Sequence, residues 1–196
     1  MKKLLVLLLC LAMPISIIAQ DDHSNKDEQT ATPQKLSKYD KFVEQAGVFL
    51  KYQEYKIPIG IETTTRGFWD IRAKVRRIIG EEKYYLFVSV NNDITTYYAA
   101  IDYDDLLKIN EAINKLLSEV EDDNKLMPEY LRNSFITDDY FCIGYYIDDD
   151  GKTKTKWFVY LDWRKKTVGV KNINDLVDVF RMGQTKIEEL MLQNKK

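Results

Sequence analysis

Residues 140–163 read YFCIGYYIDDDGKTKTKWFVYLDW. Two runs of alternating polarity flank a polar centre of consecutive aspartates and a glycine. The choice is between a cation-binding loop and a hairpin. A calcium loop of the EF-hand type takes oxygen ligands from positions 1, 3 and 5, glycine at 6 and a bidentate glutamate at 12. With Gly151 at position 6, position 1 is Tyr146 and position 12 is Trp157, so the first and last ligands are missing. The flanks also repeat with the period of strands, whereas an EF-hand needs helices. A hairpin explains more residues. With Asp149-Asp150-Gly151 as the loop and Asp148 opposite Lys152, residues Phe141, Ile143, Tyr145 and Ile147 share a face with Thr155, Trp157, Val159 and Leu161. A two-residue loop would set the same apolar residues against Lys154 and Lys156, because a slip of one residue turns a strand over. In the preferred register Tyr146, Phe158 and Tyr160 point the other way, beside the small Cys142 and Gly144.

The rest of the chain supplies what such a hairpin packs against. The run DYDDLLKINEAINKLLSEV, 102–120, places Leu106, Ile109, Ile113, Leu116 and Val120 at helical steps. Asp102 is the expected N-cap, with Asp105 at the third position. A second helix is expected in NINDLVDVFRMGQTKIEELMLQ, with Leu176, Val179, Phe180, Ile187, Leu190 and Met191 in its stripe. WDIRAKVRRIIGEEKYYLFVSV reads as another hairpin, with Ile71, Ala73 and Val75 on one face and Arg72, Lys74 and Arg76 on the other. TTYYAAI and TVGV are further strands, and GVFLKYQEYKI alternates as a strand that Pro58 ends. LSKYDKFVEQA is a short helix capped by Ser37, with Phe42 and Val43 inward.

Hairpin, strand and helix therefore occur twice. The expected fold is α+β: an antiparallel sheet with two main helices on one face, arranged as a tandem β-β-β-α repeat over 57–122 and 127–192. Antiparallel strands with one apolar face and amphipathic helices satisfy each other in two layers. The other sheet face is then left for solvent or a partner. Residue identity between the two stretches is at chance level, so the repeat rests on element order.

The first residues, MKKLLVLLLCLAMPISIIAQDD, carry a basic start, an apolar run too short to span a bilayer and a small residue at Ala19. They read as a signal peptide over 1–19, and the protein as exported to the periplasm or beyond, with no transmembrane segment in the mature chain. Lipid anchoring is not expected, because Cys10 lies inside the apolar run and follows Leu9. Residues 20–35 are polar and read as a disordered tether. A single α+β domain is expected over 36–196. Only Cys142 would remain after cleavage, which leaves no intramolecular disulfide.

Several mechanisms lack their residues. The single histidine of the chain, His23, lies in the tether. That removes the usual base of nucleophile triads and the commonest zinc ligand. No glycine-rich phosphate loop is present. The formal net charge of −2 does not suggest nucleic acid. No metal and no cofactor are expected. Carboxylate pairs alone suit glycoside hydrolysis, with Asp102, Asp104, Asp138 and Asp139 as candidates, although helix caps and turns account for all four.

LSKYDKFVEQAGVFLKYQEYKIP, IRAKVRRII, AAIDYDDLLKINEAINKL and FITDDYFCIGYYI together resemble a family of small secreted proteins from gut Bacteroidetes, over roughly residues 36–192. The signal ending in AQ is similar to theirs. That family is uncharacterised, so the resemblance implies a location and transfers no catalytic or binding residue. At the level of fold, two α+β units with an open sheet are similar to secreted β-lactamase-inhibitor and peptidase-propeptide modules. The expected function is a secreted, non-enzymatic binding or interaction module for a protein or glycan of the cell envelope. Its open sheet face would present Arg72, Lys74 and Arg76 of the basic strand and the rings of Tyr146, Phe158 and Tyr160. The alternatives are a carboxylate-based glycan hydrolase and a structural subunit of an envelope complex.

Overall fold

The computed structural model describes residues 36–45, 47, 49–148, 155–162 and 166–194. The proposed signal peptide, the tether and the hairpin tip at 149–154 lie outside them. Among the described residues, eight strands and three helices follow in the order α1 (Lys38–Val43), β1 (Tyr52–Lys56), β2 (Arg72–Ile78), β3 (Tyr84–Asn91), β4 (Thr96–Asp102), α2 (Tyr103–Lys125), β5 (Tyr130–Ile136), β6 (Cys142–Asp148), β7 (Lys156–Tyr160), β8 (Thr167–Val170) and α3 (Ile173–Asn194). The fold is α+β. Its strands form two antiparallel meanders, β1-β2-β3-β4 and β5-β6-β7-β8.

Four strands precede each long helix, which in the second half is one more than expected. The additional one is β5, whose residues alternate as YLRNSFI between exposed and half-buried positions. β1 is shorter than its alternation suggests. Phe49 is almost fully exposed, and only Tyr52–Lys56 pair with β2. The order of elements is the same in both halves, but order alone does not establish a repeat of sequence.

The two sheets meet along residues 61–63. Ile61 bridges to Ile71, ahead of β2, and Thr63 bridges to Val170 of β8. The Thr64 amide donates to the Gly169 carbonyl, and the Lys171 amide to the Glu62 carbonyl. β4 and β5 thus end a row of strands on opposite sides, and both rest on α2. The row must bend around the helices rather than lie flat.

The helices cross from one half to the other. α2, which follows the first meander, packs on β5 and β6 as well as on β3 and β4. α3, which follows the second, packs on β2 and β3. The two helices run antiparallel, joined by Asn110 Nδ2 to Gln184 Oε1 at 2.7 Å and Tyr103 Oη to Glu188 Oε1 at 2.9 Å. One core results. Val75, Leu86 and Ile101 from the first sheet meet Ile143, Tyr145 and Val159 from the second around Leu106, Ile109, Val179 and Phe180. Gly183 of α3 allows the close approach to β3: a methyl group there would come within 2.8 Å of Leu86 Cδ1.

The hairpin β6–β7 keeps the expected faces but not the expected pairing. Ile143 stands opposite Val159 and Tyr145 opposite Trp157, two positions away from the register with Asp148 opposite Lys152. A shift of two preserves which side each residue faces. Phe141, Ile143, Tyr145 and Ile147 are buried under the helices accordingly. The pattern of polarity constrains parity, while the span of the loop chooses among registers of equal parity.

Candidate functional site

The helix-free sides of the two sheets differ. β3 is apolar on both faces: Tyr84, Leu86, Val88 and Val90 join the main core, whereas Tyr85 and Phe87 face outward. α1 covers them. Its Tyr39 and Phe42 close a second cluster with Ile78, Tyr85, Phe87 and Ala100. The Tyr39 ring meets Tyr85 and Phe87 edge-on, at 5.1 and 4.8 Å between centroids.

Polar contacts hold α1 in place. Ser37 and Asp40 form a capping box at its start. The Tyr98 hydroxyl donates to Asp40 at 3.0 Å. Lys38 Nζ reaches Asp102 at 2.7 Å and Asp105 at 2.8 Å, and its amide donates to Asp139 at 3.0 Å. Burial pushes the Asp105 carboxyl up, but hydrogen bonds from Lys38 and Lys108 outweigh it and hold the group below the ordinary carboxylate range. Asp139 goes the other way: burial dominates and raises it, with Asp105 and Asp102 adding repulsion. Of the aspartates considered for hydrolysis, Asp102 caps α2 by accepting from the Asp105 amide at 2.8 Å, and Asp104 lies in the first turn of α2. Asp138 sits in the turn between β5 and β6.

A groove of about 510 Å³ runs beside α1, lined by Lys38, Phe42, Lys83, Tyr85, Asp102 and Asp104 among others. Among the described residues, no group of three or more acidic, cysteine or histidine side chains is placed to hold a metal ion, and no helix is long and apolar enough to cross a membrane. The triple aspartate at 148–150 extends beyond those residues.

The basic strand points outward as expected, but its charges are engaged. Arg76 is mostly covered. Its guanidinium carbon lies 3.9 Å from the Phe87 ring centroid and 4.1 Å from that of Tyr52. It donates to Glu54 Oε1 through Nε at 3.0 Å and Nη2 at 2.7 Å, and also to the Tyr39 hydroxyl. Lys74 meets the same carboxylate at 2.8 Å. Burial pushes Glu54 up, but its hydrogen bonds to Lys74 and Arg76 hold it below the ordinary range. Arg72 remains exposed, at 3.3 Å from Asp70. The strand is therefore half of a charge lattice with β1, not an open cationic stripe.

The second sheet keeps its outer face uncovered by any described helix. Ser134, Gly144, Phe158, Gly169 and Thr64 line up across it in successive strand pairings. The Phe158 ring sits between two glycines and is only 2 % exposed. Neighbouring rings make a row: Tyr130 to Tyr146 at 6.4 Å, Tyr146 to Phe158 at 6.1 Å and Phe158 to Tyr160 at 5.3 Å. Tyr130 is exposed; Tyr146 and Tyr160 are half-buried. The structure thus brings Tyr146, Phe158 and Tyr160 together and sets Arg72, Lys74 and Arg76 on the other sheet.

Two residues of this face, Tyr130 and Arg132, were not anticipated. Arg132 lies over Phe158 and Tyr160, at 4.7 and 5.2 Å from their centroids. Burial disfavours its charge, but hydrogen bonds to the Tyr160 hydroxyl and the Cys142 sulfur more than compensate and raise its pKa. The alternation of 130–136 carried the signal for both, since Tyr130, Arg132 and Ser134 share one face of a strand.

Comparison with protein-family models, with curated proteins and with solved structures finds no match to this chain.

Proposed function

We propose that the protein is an exported, non-enzymatic binding module of the cell envelope, and that it meets its ligand on the outer face of β5–β8. One contrast carries this reading. The apolar centre of the first sheet's outer face, Tyr85 and Phe87, is covered by α1, whereas the outer face of the second bears a row of rings and an arginine with no described helix over it. Rings combined with arginine dominate the energetics of recognition surfaces. Asp102, which lines the groove, caps α2 and pairs with Lys38 together with Asp105, which favours binding over catalysis. The ligand is a protein or a glycan. The proposed address, periplasmic or extracellular, rests on the first nineteen residues, and the secreted Bacteroidetes family is the proposed relation.

The test is an array of envelope oligosaccharides and purified envelope proteins, probed with the wild-type chain and with surface variants. Tyr146→Ala combined with Tyr160→Ala should remove the interaction that the wild type makes. Lys74→Glu should leave it unchanged, because Lys74 already serves Glu54 on the other sheet. An interaction that survives the double variant, with the fold intact by circular dichroism, would place the ligand elsewhere and defeat the reading.

A further inference from the structure

We propose that the outer face of the second sheet takes an acidic saccharide, with the carboxylate of a uronic-type sugar on Arg132 and the flat C–H face of a sugar ring on Tyr146 and Tyr160. This rests on the reading of that face as the binding surface and adds the class of ligand.

Lys38, Lys74, Arg76 and Lys156 each contact a carboxylate. Arg132, like Arg77 of the first sheet, pairs with no carboxylate among the described residues, but it lies on the ring row. Its partners are a phenol, a thiol and two aromatic faces. A guanidinium carries five N–H donors in a planar fork suited to a carboxylate. Two neutral acceptors do not exhaust it. Because it is already held over Phe158 and Tyr160, little side-chain entropy remains to be lost when an anion arrives.

The rings supply the contact for the sugar itself. Tyr130, Tyr146, Phe158 and Tyr160 step across four positions at 5.3–6.4 Å, a spacing close to the length of one pyranose unit. Phe158 is buried and serves as the floor, while the partly exposed tyrosines offer both ring faces and hydroxyl groups. Such a surface suits a ligand with an apolar face and hydroxyls at its rim, which is the character of a sugar ring. Lys156 stands beside Tyr146, 5.6 Å from its centroid and ion-paired to Asp148.

An acidic peptide would also offer carboxylates. An extended peptide, however, seeks the free N–H and C=O groups along a sheet edge. The ring row instead crosses the strands on the sheet's face, from β5 through β6 to β7.

The experiment is calorimetric titration of the full chain with three acidic oligosaccharides: an oligogalacturonate, a hyaluronan oligosaccharide and a sialylated oligosaccharide. Each is paired with its neutral methyl ester, and a polyglutamate peptide is the further arm. At least one acid should bind, and its ester should bind about tenfold to a hundredfold more weakly, the loss expected for one charged hydrogen-bonded contact. Arg132→Gln should weaken the acid by a similar factor without affecting the ester, and Arg132→Lys should recover part of the loss. Arg132 is exposed, and thermal melting of both variants checks that they fold. Absence of binding by all three acids overturns the proposal, as does polyglutamate binding as tightly as the sugars. Equal binding of acid and ester, lost in Tyr146→Ala, would also overturn it while leaving the face as the binding surface.

Discussion

Arg76 and Arg132 show how one residue type takes opposite roles on equivalent sheet faces. Arg76 is enclosed by Tyr39, Tyr52 and Phe87 and neutralised by Glu54, so it is part of the packing. Arg132 lies on rings without a carboxylate among the described residues. Glycines make the sharper test of packing at this scale. At Gly144 a methyl group would stand 2.3 Å from the Asn133 carbonyl oxygen and 2.8 Å from Ser134 Cα, both of β5. Backbone cannot step aside as a side chain can. At Gly183 the obstruction is the end of the Leu86 side chain. Gly183→Ala should therefore cost about 1–3 kcal/mol, partly offset by about 1 kcal/mol of helix propensity. Gly144→Ala should cost more. In a double-mutant cycle, Leu86→Ala should soften the Gly183→Ala penalty, since the two sites share one contact. Denaturant unfolding measures all of these; equal penalties at the two glycines would contradict the close approach of β5 to β6.

At the scale of the element, α1 is a short helix whose stability comes from docking, since six residues are too few to be helical alone. Its ion pairs give it a pH window. The Asp105 pKa is depressed in the folded state, so its contribution is present above the ordinary carboxylate range and is lost as pH falls through the folded value. The Lys38 pKa is raised, because its bonds to Asp102 and Asp105 outweigh burial. Its contribution is present below the ordinary lysine value and is lost as pH rises through the folded one. Asp139, raised by burial, acts against Asp105 and flattens the acid side. The docking of α1 should weaken below about pH 4 and hold from there to about pH 10. The ring signals of Tyr39 in NMR spectra report it, because they change when the ring leaves Tyr85 and Phe87. Asp105→Asn should remove most of the acid dependence; an unchanged titration would show that the pair with Lys38 does not hold the helix. At the other end of the same lattice, Asp102→Ala should cost about 1 kcal/mol through the lost cap of α2.

For the whole molecule, the exchange of helices sets the expectation. α2 covers strands of the second half, and α3 covers strands of the first. Neither meander can bury its apolar face with its own helix alone. The full chain should unfold in one transition, with circular dichroism and tryptophan fluorescence coincident. Residues 36–126 and 127–194 expressed separately should be largely unfolded. Mixing them should restore helical signal. Two separated transitions in the intact chain would instead show that the halves are independent units.

Local pattern was enough for much of this architecture. The caps of α1 and α2 follow from Ser37 and Asp102 at the helix starts, and the two apolar helix stripes and the inward and outward faces of β2, β6 and β7 follow from periods of 3.6 and 2, all of which depend only on neighbouring residues. Even the outward aromatics were legible, because parity survives an error of two in register. Tertiary structure decided the rest. Which helix covers which strands, the seam at 61–63, and the burial of one outer face by α1 all depend on contacts between residues far apart in the chain, which no local period encodes. The same holds for charge. Arg72, Lys74 and Arg76 look alike along a strand, and only the arrival of Glu54 from β1 makes two of them structural. The ring row needed β5 beside β6 before Tyr130 and Arg132 joined Tyr146, Phe158 and Tyr160, because a surface built from three strands has no linear signature.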